Sequence, residues 1–156
     1  MRYPELILKL AHQKWFAEAG RFLTPLDRSL QRRTKNRRNF IGKNVAPGPL
    51  LTTTGRRSGL PRDTPLVYAR DDSAFVVVGS NYGRANHPDW SANLMAHPEA
   101  TVTIDGLTVQ VVAELADPAQ KERLWPLVVR VWPAFDTYVA RSGRDLRVFV
   151  LKPTAG

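Results

Sequence analysis

The chain has 156 residues, enough for one domain that buries roughly two thirds of the surface its unfolded form exposes, so neither disulfides nor metals are needed to hold it. It contains no cysteine, which excludes thiol catalysis, thiolate metal centres and a disulfide scaffold. The formal net charge of +9 is uneven: residues 1–43 carry 11 lysines and arginines against three acids, a net of +8, and the rest of the chain only +1. A basic N-terminal arm and a nearly neutral body are therefore read separately, as residues 1–44 and 45–156.

In the arm, Pro4 to Ala19 predicts a helix, with Pro4 suited to a first turn and Gly20 to a stop. Leu6, Leu10 and Ala17 share a side that Ile7, Ala11, Trp15 and Phe16 widen, so the helix is amphipathic. A second helix is predicted from Thr24 toward Arg33, since Thr24-Pro25-Leu26-Asp27 combines an N-cap, a first-turn proline and an acid. The densest charge follows at Arg32, Arg33, Lys35, Arg37 and Arg38. Such an arm can lie on an anionic membrane surface, touch nucleic acid, or pack on the body by its apolar side. Nucleic acid is the poorest fit, because no aromatic platform or reading motif accompanies the charge.

Leu6 to Leu10 is too short and too interrupted by Lys9 to be a signal sequence, and no run reaches the roughly 18 apolar residues of a membrane span. With no cysteine, the expected location is the reducing cytoplasm, the arm being able to sit peripherally at the inner face of the membrane. Pro47-Gly48-Pro49 marks the passage from arm to body.

The body is rich in strands. Leu50 to Thr54, Thr64 to Arg70, Ala74 to Val78, Ala100 to Ile104, Thr108 to Glu114 and Leu146 to Lys152 are predicted strands, with hairpins at Asp71-Asp72-Ser73 and Asp105-Gly106. Short helices are predicted from Pro88-Asp89-Trp90 to about His97, from the Asp117 cap to about Val131 with Pro126 ending or kinking it, and over Ala134 to Ala140. A doubly wound sheet would need a crossover helix after nearly every strand. The pattern instead predicts an α+β, mainly β fold: a small six-stranded antiparallel barrel with helices on its rim and the helical arm in front.

Conventional catalytic sets are missing. His12, His87 and His97 have no metal-ligand spacing, no serine stands in a nucleophile elbow, and Asp71-Asp72 reads as a turn. The stretch Leu51 to Arg62 (LTTTGRRSGLPR) ends a strand in hydroxyls and bends at Gly55 and Gly59, placing Arg56 and Arg57 on a short loop with Ser58 beside it and Arg62 just beyond. Three permanent charges, hydroxyls and loop amides suit a multi-oxygen anion such as a phosphodiester; an ordinary solvated hairpin turn accounts for the same residues. Ser80-Asn81-Tyr82-Gly83 after the third strand and Trp90 to Asn93 in the following helix add a loop that a flat ring can approach and an aromatic wall. For Trp90 and Asn93, core packing and a helix hydrogen bond are the competing readings.

TTTGRRSGLPRDTPL, then VVVGSNYG, then HPDWSANLMAHP, in this order and spacing, resemble the deazaflavin-dependent nitroreductase family of split β-barrel flavin-binding-like proteins over roughly residues 45 to 153. The resemblance implies binding of coenzyme F420, a deazaflavin with a phosphodiester and an oligoglutamate tail, and hydride transfer to a flat hydrophobic acceptor, quinone-like or nitroaromatic. It places Arg56, Arg57 and Arg62 on the phosphate and acidic tail with Thr53 and Thr54 nearby. Pro65 and Ser80 lie against the ring system, Asn81, Tyr82 and Gly83 line its edge with amides, and Trp90 and Asn93 complete that wall. Where the nitroreducing members have three tyrosines, this chain has Trp132, Phe135 and Tyr138 as its substrate wall. Tyr138 and Ser80 are the candidate donors to the substrate atom gaining charge, with water as final proton source. Asn81 stands where the family often has lysine. FMN on the same barrel, and a cofactor-binding or membrane-associated protein without turnover, are the alternatives. Related split barrels often form homodimers.

Overall fold

The computed structural model describes residues 3–16, 18–19 and 48–154. The second arm helix and the cluster from Arg32 to Arg38 lie outside the described residues. Seven strands form one antiparallel sheet: β1 (Leu50–Thr54), β2 (Pro61–Pro65), β3 (Tyr68–Asp71), β4 (Ala74–Val78), β5 (Glu99–Ile104), β6 (Leu107–Leu115) and β7 (Val148–Pro153). The spatial order is β2-β1-β5-β6-β7-β4-β3.

One predicted strand, Thr64 to Arg70, is two, which makes the count seven and not six. Pro65 ends β2, and the next amide, Leu66 N–H, bonds Pro49 O at 3.0 Å, one pair beyond Leu50 and Pro65 in the same register. The chain then crosses from one edge of the sheet to the other within Leu66-Val67. Three Cα steps span at most about 11 Å, whereas the edges of a flat seven-stranded sheet would stand about 29 Å apart. The sheet must therefore curl until β2 and β3 approach one another.

The curl divides the core. On β4 and β7 alternate side chains face opposite ways, and both faces are covered, as a run such as AFVVV requires. Phe75, Val77, Phe149 and Leu151 join Leu51, Trp90, Leu94, Val102 and Val111 in one cluster, while Val76, Val78, Val148 and Val150 join a second cluster under the helices. That second layer is made by α3 (Pro118–Val131) and α4 (Ala134–Ser142), and α1 (Glu5–Ala11) packs onto it. The helix α2 (Asp89–Ala96) contributes Trp90 and Leu94 to the first cluster.

Local signals act as expected at most element ends. Asp105 and Gly106 adopt φ of 51° and 84°, the left-handed pair that a two-residue hairpin needs. Asp117 caps α3 reciprocally with Gln120. Pro126 does not end α3, which continues to Val131; the carbonyl that loses its helical partner belongs to Glu122, an exposed residue. The predicted helix from Pro4 breaks after Ala11, because Ala11 O accepts from Tyr138 Oη at 3.0 Å and His12 O from Arg141 Nη2 at 2.7 Å. Both carbonyls would otherwise serve the next helical turn.

Candidate functional site

The basic turn closes through Gly55 N–H to Leu60 O and Gly59 N–H to Gly55 O, both 2.8 Å, with Gly59 at φ 68°. Gly55 is closely enclosed: a Cβ there would lie 2.6 Å from Ser58 Oγ, which would have to turn away, and 3.2 Å from Leu60 O. The three arginines separate into two kinds. Arg56 is anchored: its amide and Nη1 reach Asn93 Oδ1 at 3.1 and 3.2 Å, and its Nη2 pairs with Asp89 Oδ1 at 3.2 Å. Asn93, buried on α2, donates from Nδ2 to Thr53 Oγ1 at 3.1 Å, and Thr53 in turn donates weakly to Arg62 O at 3.4 Å. Arg57 and Arg62 are exposed; Arg62 Nη2 donates only to Ser58 Oγ, at 3.3 Å, and Arg57 has no side-chain partner among the described residues. Arg57 and Arg62 thus keep their guanidiniums open to solvent, while Arg56 fixes the turn to α2.

Thr54 and Pro65 are half-buried at opposite ends of the β1–β2 ladder, where Thr54 faces Pro61 and Leu50 faces Pro65. Trp90 is a core residue, its ring centroid 5.9 Å from that of Phe149. Packing thus places Trp90 inside the sheet cluster, 6% exposed.

On its other side α2 meets the loop after β4. A Cβ on Gly79 would be 3.5 Å from Ser91 Cβ, and Ser91 Oγ accepts from Arg147 at 3.3 Å. From Ser80 the chain makes a single tight turn, Asn81–Gly83, with Asn81 Nδ2 donating to Asn86 O at 2.9 Å. Gly83 is buried at φ 75°, and an added Cβ would stand 3.0 Å from Tyr138 Cα. Ser80 is half-buried and its hydroxyl has no partner among the described residues. His87, 2.8 Å from Arg144 Nη1, is held below the ordinary histidine range by burial and by Arg147 and Arg144, with Asp145 opposing.

Trp132, Phe135 and Tyr138 come together, but not on an open wall. All three are buried, and Tyr138 is 1% exposed. The Tyr138 hydroxyl donates to Ala11 O and accepts from Trp132 Nε1 at 3.4 Å; burial raises its pKa. Tyr3 and Phe16 lie over Trp132, with centroids 5.1 and 6.5 Å away. With α1 docked, the Tyr138 hydroxyl is engaged by the Ala11 carbonyl of the arm. Sequence reading missed Asp89, Arg141 and Arg144. The last two fall at Arg141-Ser142-Gly143-Arg144, a helix end whose charge looks like ordinary C-terminal capping.

A basic turn and a glycine-bearing loop thus lie on two sides of one helix against a curled antiparallel sheet. Residues 27–153 match the family described as F420H(2)-dependent quinone reductase, and the chain belongs to that family. An F420H(2)-dependent quinone reductase of Mycobacterium tuberculosis is 32% identical over 132 residues, covering 83% of this chain and 89% of the relative. Among solved structures, an F420-H2 dependent reductase (FDR-A) superposes with a TM-score of 0.63 at 29% identity, over 68% of this chain and 94% of that one. Another, described as a domain-swapped dimer, gives 0.65 at 28% identity over 83% of this chain and all of its own. Among the described residues, no three of His, Cys, Asp and Glu gather as a metal site.

Proposed function

We propose that this protein is an oxidoreductase that takes a hydride from reduced coenzyme F420 and delivers it to a flat hydrophobic acceptor of the quinone class. The observation that carries the reading is the division of labour around α2. On one side Asn93 and Asp89 hold a turn whose remaining cations, Arg57 and Arg62, face solvent; on the other, the Ser80–Gly83 loop offers backbone amides and a hydroxyl. The residues present fit an elongated ligand with an acidic tail and a ring. We read the curled sheet as a split barrel, as in the family to which the chain belongs.

When bound, reduced F420 supplies the hydride. The protein then has little acid/base work to do, which matches a sequence without a nucleophile elbow or paired catalytic carboxylates. Ser80 Oγ is the side-chain donor for the acceptor oxygen that gains charge, and water completes the hydroquinone with a proton. Trp132, Phe135 and Tyr138 shape the substrate side from behind α1. The basic arm is read as a contact for anionic lipid, resting on the charge of residues 1–43, and the assembly as a homodimer, resting on the relative described as a domain-swapped dimer.

Fluorescence titration of the purified protein with F420 and with FMN tests the cofactor, followed by hydride transfer from the reduced winner to a soluble quinone. Tight binding of F420 with turnover is expected; preference for FMN, or binding of F420 without turnover, would overturn the assignment.

A further inference from the structure

The loop between β4 and α2 is left-handed through three consecutive residues, with φ of 47° at Asn81, 56° at Tyr82 and 75° at Gly83. Only glycine takes this conformation freely, so the surroundings must hold Asn81 and Tyr82 there. The turn supplies two bonds of its own, Gly83 N–H to Ser80 O at 3.0 Å and Arg84 N–H to Asn81 O at 3.1 Å.

Two guanidiniums supply the rest. Arg144 donates from Nη2 to Ser80 O and from Nε to Arg84 O, each at 2.8 Å. Arg141 donates from Nη1 to Tyr82 O at 3.1 Å while its Nη2 holds His12 O. Gly143 lies between them at φ 62°, and this reversal at the end of α4 brings both arginines to one loop.

The amides are disposed the other way. Ser80 is right-handed (φ −75°, ψ −33°) and Asn81 left-handed, the succession that turns consecutive N–H groups toward one concavity. The N–H groups of Ser80, Asn81 and Tyr82 donate to no acceptor among the described residues. Arg144 also polarises the peptide whose nitrogen is that of Asn81, because it binds the Ser80 carbonyl of the same unit.

We propose that Arg141 and Arg144 are positioning residues that lock the Ser80–Arg84 loop left-handed, so that the amides of Ser80, Asn81 and Tyr82 form a ready donor set for the electron-rich carbonyl edge of the ligand's ring. This rests on the F420 reading above. Preorganised amides favour a site where negative charge gathers and need no rearrangement when it does.

The test uses the full chain, with Arg144→Ala and Arg144→Gln compared with Arg57→Ala. Each is titrated with F420 and with a deazaflavin that lacks the phosphodiester tail. Arg144→Ala is expected to weaken both ligands by the same factor, about 10- to 100-fold, and Arg144→Gln, which keeps one donor arm, by less. Arg57→Ala should weaken only the ligand with the tail. If a folded Arg144→Ala, checked by circular dichroism, binds both ligands as wild type does, the positioning role is wrong while the F420 reading stands. Should Arg144→Ala not fold, unchanged affinity of Arg144→Gln for the tail-less ligand is the overturning result. If wild type binds neither ligand, the F420 reading falls and takes this proposal with it.

Discussion

Replacing Asn93 by alanine should loosen the basic turn without touching its exposed charges. Asn93 is 4% exposed and accepts from the Arg56 amide and guanidinium while donating to Thr53, which is 1% exposed. The Arg56 groups can recover water, since that side chain is 30% accessible; Thr53 Oγ1 keeps only its long contact with Arg62 O. Counting one buried bond at full cost and two at partial cost gives a loss of about 2–4 kcal/mol, or a fall in Tm of roughly 6–12 °C for a domain of this size. Urea unfolding with an unchanged slope would assign the loss to the native state. A double-mutant cycle with Arg56→Ala should return a coupling of about 1–2 kcal/mol. A Tm within about 2 °C of wild type, or additive single effects, would refute the claim that α2 holds the turn through this pair.

Arg57→Ala combined with Arg62→Ala should leave Tm unchanged, weaken F420 about tenfold or more and flatten the salt dependence of its Kd, read by fluorescence titration at two ionic strengths. Tyr138→Phe should lower stability by about 1–2 kcal/mol, because Ala11 O and Trp132 Nε1 both lose a buried partner, yet change kcat for a quinone by less than about threefold; a collapse of kcat with Tm intact would make Tyr138 a substrate donor. Gly83→Ala places a methyl against the Tyr138 backbone at positive φ and should cost more than about 1 kcal/mol in thermal unfolding. His87 is depressed below its ordinary value of 6.5, facing Arg144, Arg147 and Asp145. The unfolded chain therefore takes up the proton first, so its contribution is complete above that value and is lost as pH falls toward the folded pKa. His87→Gln should flatten the decline of unfolding free energy between about pH 7 and pH 5.

Strand and hairpin positions were legible because their signals are local. Leu50 to Thr54 and Ala74 to Val78 match β1 and β4 residue for residue, and Asp105-Gly106 is its own turn. The split of Thr64 to Arg70 was not legible, since Pro65 and Leu66 break there for a non-local reason: the chain must change edges. The same holds for the site. The basic turn and the Ser80 loop were visible as motifs, and Asn93 and Trp90 as members of the right helix. Which arginine is consumed by Asp89, and that α1 covers Tyr138, depend on partners tens of residues away and on no pattern in the intervening chain.

The place of β7 in the sheet constrains how the protein can be made. Before β7 arrives, the sheet is in two pieces that share no strand pairing, the four-stranded β2-β1-β5-β6 unit and the β3-β4 hairpin, tied by Leu66-Val67 and by the β4–α2–β5 connection. β7 pairs with both β6 and β4, so it is the keystone that closes the curl. On the ribosome, β7 is the latest of the seven strands to emerge, and until it does β4 and β6 present open edges to other chains. Closure of the sheet as a whole therefore waits for β7, and arrest of synthesis just before Val148 should leave an aggregation-prone nascent chain.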